Sequence, residues 1–169
     1  MIDSFTGEYR FLSNFYPSEI EYQGIKYPTN EHFYVGMKVN DPQIISKEAS
    51  IYLKNLDISN DGAYSVDEIR RLIAQIPTSG KVKRFGRLMK LRQDWDDVRL
   101  KVMNYGVRQK FTKHENLKHL LLSTGDERLI EGNTWHDNFF GTCSCSKCGN
   151  KGKNHLGKIL MTVRDEIIW

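Results

Sequence analysis

Apolar and polar positions alternate through Ile20-Glu21-Tyr22 and Ile25-Lys26-Tyr27 on either side of Gln23-Gly24. Such alternation marks half-buried strands, and the glycine can take the positive φ of a tight turn, so a short hairpin is predicted. From about Glu31 to Val39 the spacing turns helical, with Thr29 or Asn30 placed to cap the first N–H groups. Asn40-Asp41-Pro42 then restarts the chain in another helix. Ser65-Val66-Asp67-Glu68 has the form of a capping box ahead of Ile69, Leu72, Ile73 and Ile76. Val82, Phe85, Leu88 and Met89 recur at helical spacing, as do Val98, Val102, Tyr105 and Phe111 between Asp96 and Lys113. Leu117–Leu122 and Glu127–Ile130 read as short helices. Leu156, Ile159, Leu160 and Val163 define a last amphipathic one. The expected class is α+β, mostly helical, with a small N-terminal β-hairpin.

Two stretches fit neither period. Phe11-Leu12-Ser13-Asn14-Phe15-Tyr16-Pro17 is aromatic and proline-terminated, and reads as an ordered loop. Gly132 to Gly152 carries Gly132, Gly141, Gly149 and Gly152 and all three cysteines. It reads as a long irregular loop, functional or mobile.

The 169 residues suit a single domain, 1–169, with one ordinary core. With 27% charged and 39% hydrophobic residues the chain is neither disordered nor membrane-spanning in composition. Met1-Ile2-Asp3-Ser4-Phe5 lacks the basic and apolar regions of a signal peptide, so a cytoplasmic location is expected. A net charge of +4 suits a phosphate-bearing ligand or nucleic acid, though many proteins share it. The basic residues gather in Lys81, Lys83, Arg84, Arg87, Lys90 and Arg92, and in Lys147, Lys151, Lys153 and Lys158. A solvated helix face explains the first group as well as a ligand does.

Four features carry candidate chemistry. Glu31, Tyr34, Val35 and Lys38 share one helix face, which looks either into water or into a polar cleft; spacing alone favours water. In a cleft, the carboxylate would orient or deprotonate water or stabilise an oxocarbenium-like centre. A lysine of depressed pKa would attack a sugar aldehyde. Secondly, Trp135 in a Gly/Asn-rich loop could stack on a purine, and Asp137 could hold ribose hydroxyls or a water. Thirdly, Asn154 opens the last helix, whose N–H groups, with Lys153 nearby, would suit a phosphate; simple capping is the plainer reading. Lastly, Cys143, Cys145 and Cys148 invite zinc, with His136 or His155 as fourth ligand. The usual structural site has two separated ligand pairs and a second pair is missing, so zinc at these cysteines is not favoured and no metal is assigned.

The order of these landmarks resembles the NADAR (YbiA-like) family along nearly the whole chain. The matching segments are Phe11–Pro17, Tyr27-Pro28-Thr29-Asn30-Glu31-His32 with Lys38, Gly86-Arg87, and Arg92-Gln93-Asp94-Trp95. Val102-Met103, Lys110-Phe111, Leu121–Gly125, Glu131–Asp137, Gly152–Gly157, Leu160-Met161 and Val163-Arg164 continue the match. The resemblance implies a YbiA-like fold and N-glycosidic hydrolysis. Substrates would be ADP-ribosylated guanine, as nucleotide or in DNA or RNA, or a phosphorylated riboflavin-pathway intermediate. It implies Glu31 as catalytic carboxylate, Lys38 as the amine near the ribose, and Asp137 with Trp95 and Trp135 as pocket residues. Ser13, Asn14, Phe15, Asn154 and Gly157 would position the ligand. No cofactor is required and no membrane partner is expected; nothing speaks to oligomeric state.

Three departures stand out. The chain is expanded between about Lys47 and Val66, Phe140 stands where a tryptophan is common, and the cysteine loop occurs in only some relatives. Two rival classes remain: a non-catalytic ADP-ribose or NAD-binding module, and a zinc-stabilised nucleic-acid binder using Lys81–Arg92.

Overall fold

Pro17–Tyr22 (β1) and Ile25–Thr29 (β2) form the predicted antiparallel hairpin, pairing Ile20 with Tyr27 and Tyr22 with Ile25. Both Gln23 (φ 49°) and Gly24 (φ 77°) take the left-handed region, as a two-residue turn matched to strand twist demands. The computed structural model describes residues 1–56 and 64–167. The expansion read between Lys47 and Val66 therefore lies partly outside the described residues. The chain divides into two units, one of Pro17–Val102 and one of Met1–Tyr16 with Met103–Trp169.

In the first unit, β2 runs into α1 (Asn30–Gly36), capped by the Thr29 hydroxyl, which accepts from the His32 N–H at 3.2 Å. The helix ends at Gly36, three residues short of the predicted Val39, and every residue in it is buried. Asp41 caps only a single 3₁₀ turn, Pro42–Ile44, before α2 (Lys47–Leu56) begins. The capping box is present: Glu68 N–H donates to Ser65 Oγ and Ser65 N–H to Glu68 Oε2 at the start of α3 (Val66–Gln75). Ile69, Leu72, Ile73 and Ile76 meet Val82 and Phe85 of α4 (Ser79–Gly86) in one core with Val35 and Val39. His32 links these pieces. Its Nε2 faces the Ile76 carbonyl at 2.8 Å and must carry the hydrogen, so Nδ1 accepts from the Thr29 hydroxyl at 2.7 Å. Burial lowers its pKa, against the hydrogen bond to the Ile76 carbonyl, which raises it.

Helix α5 (Trp95–Lys113) contains the boundary between the units. Its buried side includes Met103, Val107, Lys110 and Phe111; of the predicted stripe Phe111 is buried, Val98 and Val102 are half-buried, and Tyr105 is 41% exposed. In the second unit α6 (Glu115–Ser123) ends at Gly125 in the left-handed region. Glu127–Ile130 is extended rather than helical. Ile2 N–H donates to Arg128 O and Ile130 N–H to Ile2 O, both at 2.8 Å, so a segment distant in sequence claims its backbone. Gly132–Asn133 (β3) and Thr142–Cys143 (β4) pair in parallel, and Cys143 bridges to Lys151. α7 (His155–Ile167) closes the unit, with buried Arg164 donating to Thr124 Oγ1 and the Glu127 carbonyl at 2.8 Å. Among the described residues no helix is long and apolar enough to cross a membrane.

Candidate active site

Glu31 lies in the first turn of α1 and is only 9% exposed, so the solvated-face reading of that stripe is overturned. Lys38 falls just past the helix end, where its own N–H donates to the Val35 carbonyl at 3.1 Å. Its amine sits 5.4 Å from the centre of the Tyr34 ring and 6.0 Å from that of Trp95. Those rings are 5.0 Å apart and Trp95 is buried, which makes Trp95 a wall behind the lysine. Burial pushes the Lys38 pKa down, the Glu31 carboxylate pushes it up, and Lys83 and Arg87 push it down. A buried carboxylate in the first turn of α1 and a half-buried amine just past its end, its pKa lowered by burial, thus lie close enough for the carboxylate's charge to act on the amine.

The end of α1 is fastened by arginines from other segments of the chain. Arg70 donates to the Gly36 carbonyl (3.3 Å) and the Val39 carbonyl (2.7 Å), and Arg92 to the Met37 carbonyl (3.1 Å). Asp94 orients Arg92 in turn, accepting from Nη2 at 2.8 Å. Cations suit a helix C-terminus, where carbonyls lack helical partners. Gly86 lets α4 approach, since a Cβ there would stand 3.1 Å from Val35 and 3.4 Å from the Lys38 amine.

The second unit holds the other expected residues. Ser13 Oγ accepts from Phe15 N–H at 3.1 Å, Asn14 is buried, and Phe15 is 42% exposed. Ser13, Phe15, Tyr16 and Arg10 help line a concavity of about 270 Å³. Beneath this loop lies Lys110, 1% exposed, its amine donating to the Ser13 carbonyl at 2.8 Å and facing the Tyr16 and Phe111 rings. Burial pushes its pKa from 10.5 down to about 7. Between those values the unfolded chain binds more protons than the folded one, so this group makes stability rise with pH, by up to about 1.4 kcal/mol per unit. Lys110→Met, similar in volume, is expected to flatten that rise in urea titrations at pH 7, 8 and 9; parallel wild-type and variant profiles would refute it.

Trp135 is 58% exposed in a turn that Asn133 builds. Asn133 Oδ1 accepts from the Trp135 and Asp137 N–H groups, and its Nδ2 donates to the Asp137 and Thr142 carbonyls. Asp137 Oδ1 accepts from Phe139 and Phe140 N–H at 3.1 and 3.0 Å, so one carboxylate oxygen holds the loop. Asn154 does not serve as a simple cap. In the left-handed region (φ 50°), its side chain accepts from Glu131 N–H and donates to the Leu129 carbonyl. The His155 and Leu156 N–H groups at the start of α7 already donate to the Phe139 and Phe140 carbonyls. Two of the N–H groups that could have cradled a phosphate there are therefore already bonded to the protein's own loop. Gly157 is a packing requirement: a Cβ would lie 2.1 Å from the Leu129 carbonyl oxygen.

The loop from Gly132 to Gly152 is not irregular in any loose sense, being cross-bonded throughout. It brings His136, Cys143, Cys145 and Cys148 together, with all four potential ligand atoms within 4.8 Å of one another. This cluster could hold a metal ion. The Cys148 backbone N–H is the main cause that draws the Cys145 thiol down to about 7.

The NADAR domain model matches residues 3–168, and the chain belongs to the NADAR family. It is 36% identical over 161 residues to an N-glycosidase of Nostoc punctiforme, covering 94% of this chain and 86% of that protein. It is 30% identical over 166 residues to the N-glycosidase YbiA of Escherichia coli, covering 97% and 85% respectively. A riboflavin biosynthesis protein of Vibrio vulnificus is 32% identical over 157 residues, but this chain spans only 35% of its length. The NMR structure of Escherichia coli YbiA matches with a TM-score of 0.68 at 30% identity, covering 99% of this chain and 87% of that one. The mostly helical α+β class with its N-terminal hairpin is the fold of that neighbour.

Proposed function

We propose that this chain is an N-glycosidase that hydrolyses the ribose C1–N bond of an ADP-ribosylated guanine base, free or in nucleic acid, or of a phosphorylated riboflavin-pathway intermediate. The observation that carries the reading is the buried Glu31 with Lys38 just past its helix, the amine held below its ordinary pKa. Relatives named N-glycosidase and riboflavin biosynthesis protein support the reaction class. In the direct route Glu31 takes a proton from water as its oxygen bonds to C1, and the base leaves with the C1–N electron pair and a proton. In the covalent route the neutral Lys38 amine bonds to C1 as the base departs. The adduct opens to an imine, and water then adds to C1 and returns the amine. Both routes consume one water and release the protonated base.

Ser13, Asn14, Phe15 and Trp135 enter this reading through the family resemblance, as residues that position ligand. Asp137 joins them through its second carboxylate oxygen. Asn154 and Gly157, given the same role by the resemblance, act indirectly by holding the chain at Leu129 and Glu131. The chemistry is read as needing no cofactor, since the acting groups are side chains. A cytoplasmic setting, where thiols stay reduced, accords with three free cysteines. The test is incubation with a panel of ADP-ribosylated bases and phosphorylated riboflavin precursors, with products identified by mass spectrometry. Release of free base and a hydroxyl-bearing ribose is expected. Tight binding by calorimetry with no released base from any substrate would instead mark a non-catalytic ADP-ribose or NAD reader.

A further inference from the structure

We propose that His136, Cys143, Cys145 and Cys148 form a closed, structural zinc site that pins the loop carrying Trp135 and Asp137. The second ligand pair, missing from the sequence spacing, is supplied by the fold. Cys143 is fixed by its pairing with Asn133 and its bridge to Lys151, while His136 comes from the turn that Asn133 organises. Cys145 and Cys148 stand on one tight turn, where the Cys148 and Gly149 N–H groups donate to the Cys145 carbonyl at 3.1 and 2.9 Å and Gly149 has φ 61°.

The geometry suits a small tetrahedral ion. His136 Nδ1 lies 3.3 Å from Cys148 Sγ and 3.4 Å from Cys145 Sγ. Zinc bonds of about 2.0–2.3 Å hold ligand atoms roughly 3.5–3.8 Å apart. The four atoms here span no more than 4.8 Å, so adjustments of about 1 Å would seat the ion. His136 adopts φ 68°, a conformation unusual for a non-glycine residue, while aiming Nδ1 at the thiols. His155, the other candidate, is engaged elsewhere, with its ring 4.5 Å from that of Phe139. A supporting shell is also in place. The His136 N–H donates to Cys143 Sγ at 3.4 Å and Asn138 Nδ2 to Cys148 Sγ at 3.3 Å. Three thiolates and an imidazole favour zinc over hard cations, and four protein ligands leave no position for substrate, so the role is structural.

The test uses the full chain purified without chelators, and does not depend on any activity. Elemental analysis is expected to find one zinc per chain. Cobalt(II) in its place should give the visible bands of a tetrahedral site with thiolate charge transfer. Cys145→Ser and His136→Ala should weaken zinc binding at least about 100-fold, and Asn138→Ala about 10-fold. Wild-type protein that is metal-free and takes up neither added zinc nor cobalt would overturn the proposal, as would full zinc occupancy in Cys145→Ser. If the variants do not fold, the wild-type titration decides alone.

Discussion

Glu31→Gln is expected to cut base release roughly 10²–10⁴-fold while the protein stays folded. The substitution is nearly isosteric and the site is buried, so packing around α1 is kept while the negative charge and the proton acceptor are lost. Lys38→Ala is expected to fall in the same range if the amine bonds to C1, and less if it only stabilises charge. Residues that act as a unit lose their effect together, so the double variant should be scarcely slower than either single one. The pH profile separates the routes. If the neutral amine attacks, the rate rises with pH through the Lys38 pKa, which burial holds below 10.5. Removing Glu31, which raises that pKa, should move the rising limb of any residual activity to lower pH. Lys83→Met removes a group that lowers it and should move the limb higher. Borohydride trapping of an adduct at Lys38, absent in Lys38→Arg, would complete the case. Glu31→Gln within about threefold of wild type would remove the assignment.

Why the sequence disclosed some of this and hid the rest follows from what local pattern encodes. The hairpin was legible because alternation and a positive-φ glycine coincide, and the Ser65–Glu68 box because both partners lie within one turn. Helix α5 was misread because Gln109 and Lys110 occupy buried positions and disguise the apolar stripe that Met103, Val107 and Phe111 complete. Glu127–Ile130 is a short run whose period admits helix or strand, and its partner Ile2 lies far away in the chain. The burial of the Glu31 face of α1 was not legible because polar Asn30, Glu31 and His32 are all buried in the helix. Glu31 and Lys38 could be paired by spacing. Lys83, Arg87 and Arg92, which set the charge and position of Lys38, come from segments whose placement only the tertiary fold determines. The cysteine loop was hidden for a related reason. Its glycines suggest slack, yet Gly132, Gly141 and Gly152 mark places where a Cβ would meet backbone oxygen at 2.2 Å.

Close backbone contact likewise makes Gly157→Ala strongly destabilising. Gly157 is the third residue of α7, within its first turn, where alanine would gain up to about 1 kcal/mol of helix propensity if space allowed. Space does not allow it. The new Cβ would stand 2.1 Å from the Leu129 carbonyl oxygen and 2.4 Å from Asn154 Nδ2, two atoms already joined by a 2.9 Å hydrogen bond. Relief requires α7 to back away from Leu129, which breaks that bond and the one from Glu131 N–H to Asn154 Oδ1. A lost buried hydrogen bond costs about 1–3 kcal/mol and overpacking a similar amount, so the sum exceeds about 3 kcal/mol. For a chain of this length that lowers the melting midpoint by roughly 10 °C. Gly80→Ala is the matched control, since Gly80 is helical in α4 and a Cβ there meets nothing within 4 Å. It should melt at or slightly above wild type. Should Gly157→Ala melt within a degree or two of Gly80→Ala, the contact between α7 and Leu129 is looser than these distances state, and Gly157 must be explained by ligand contact instead.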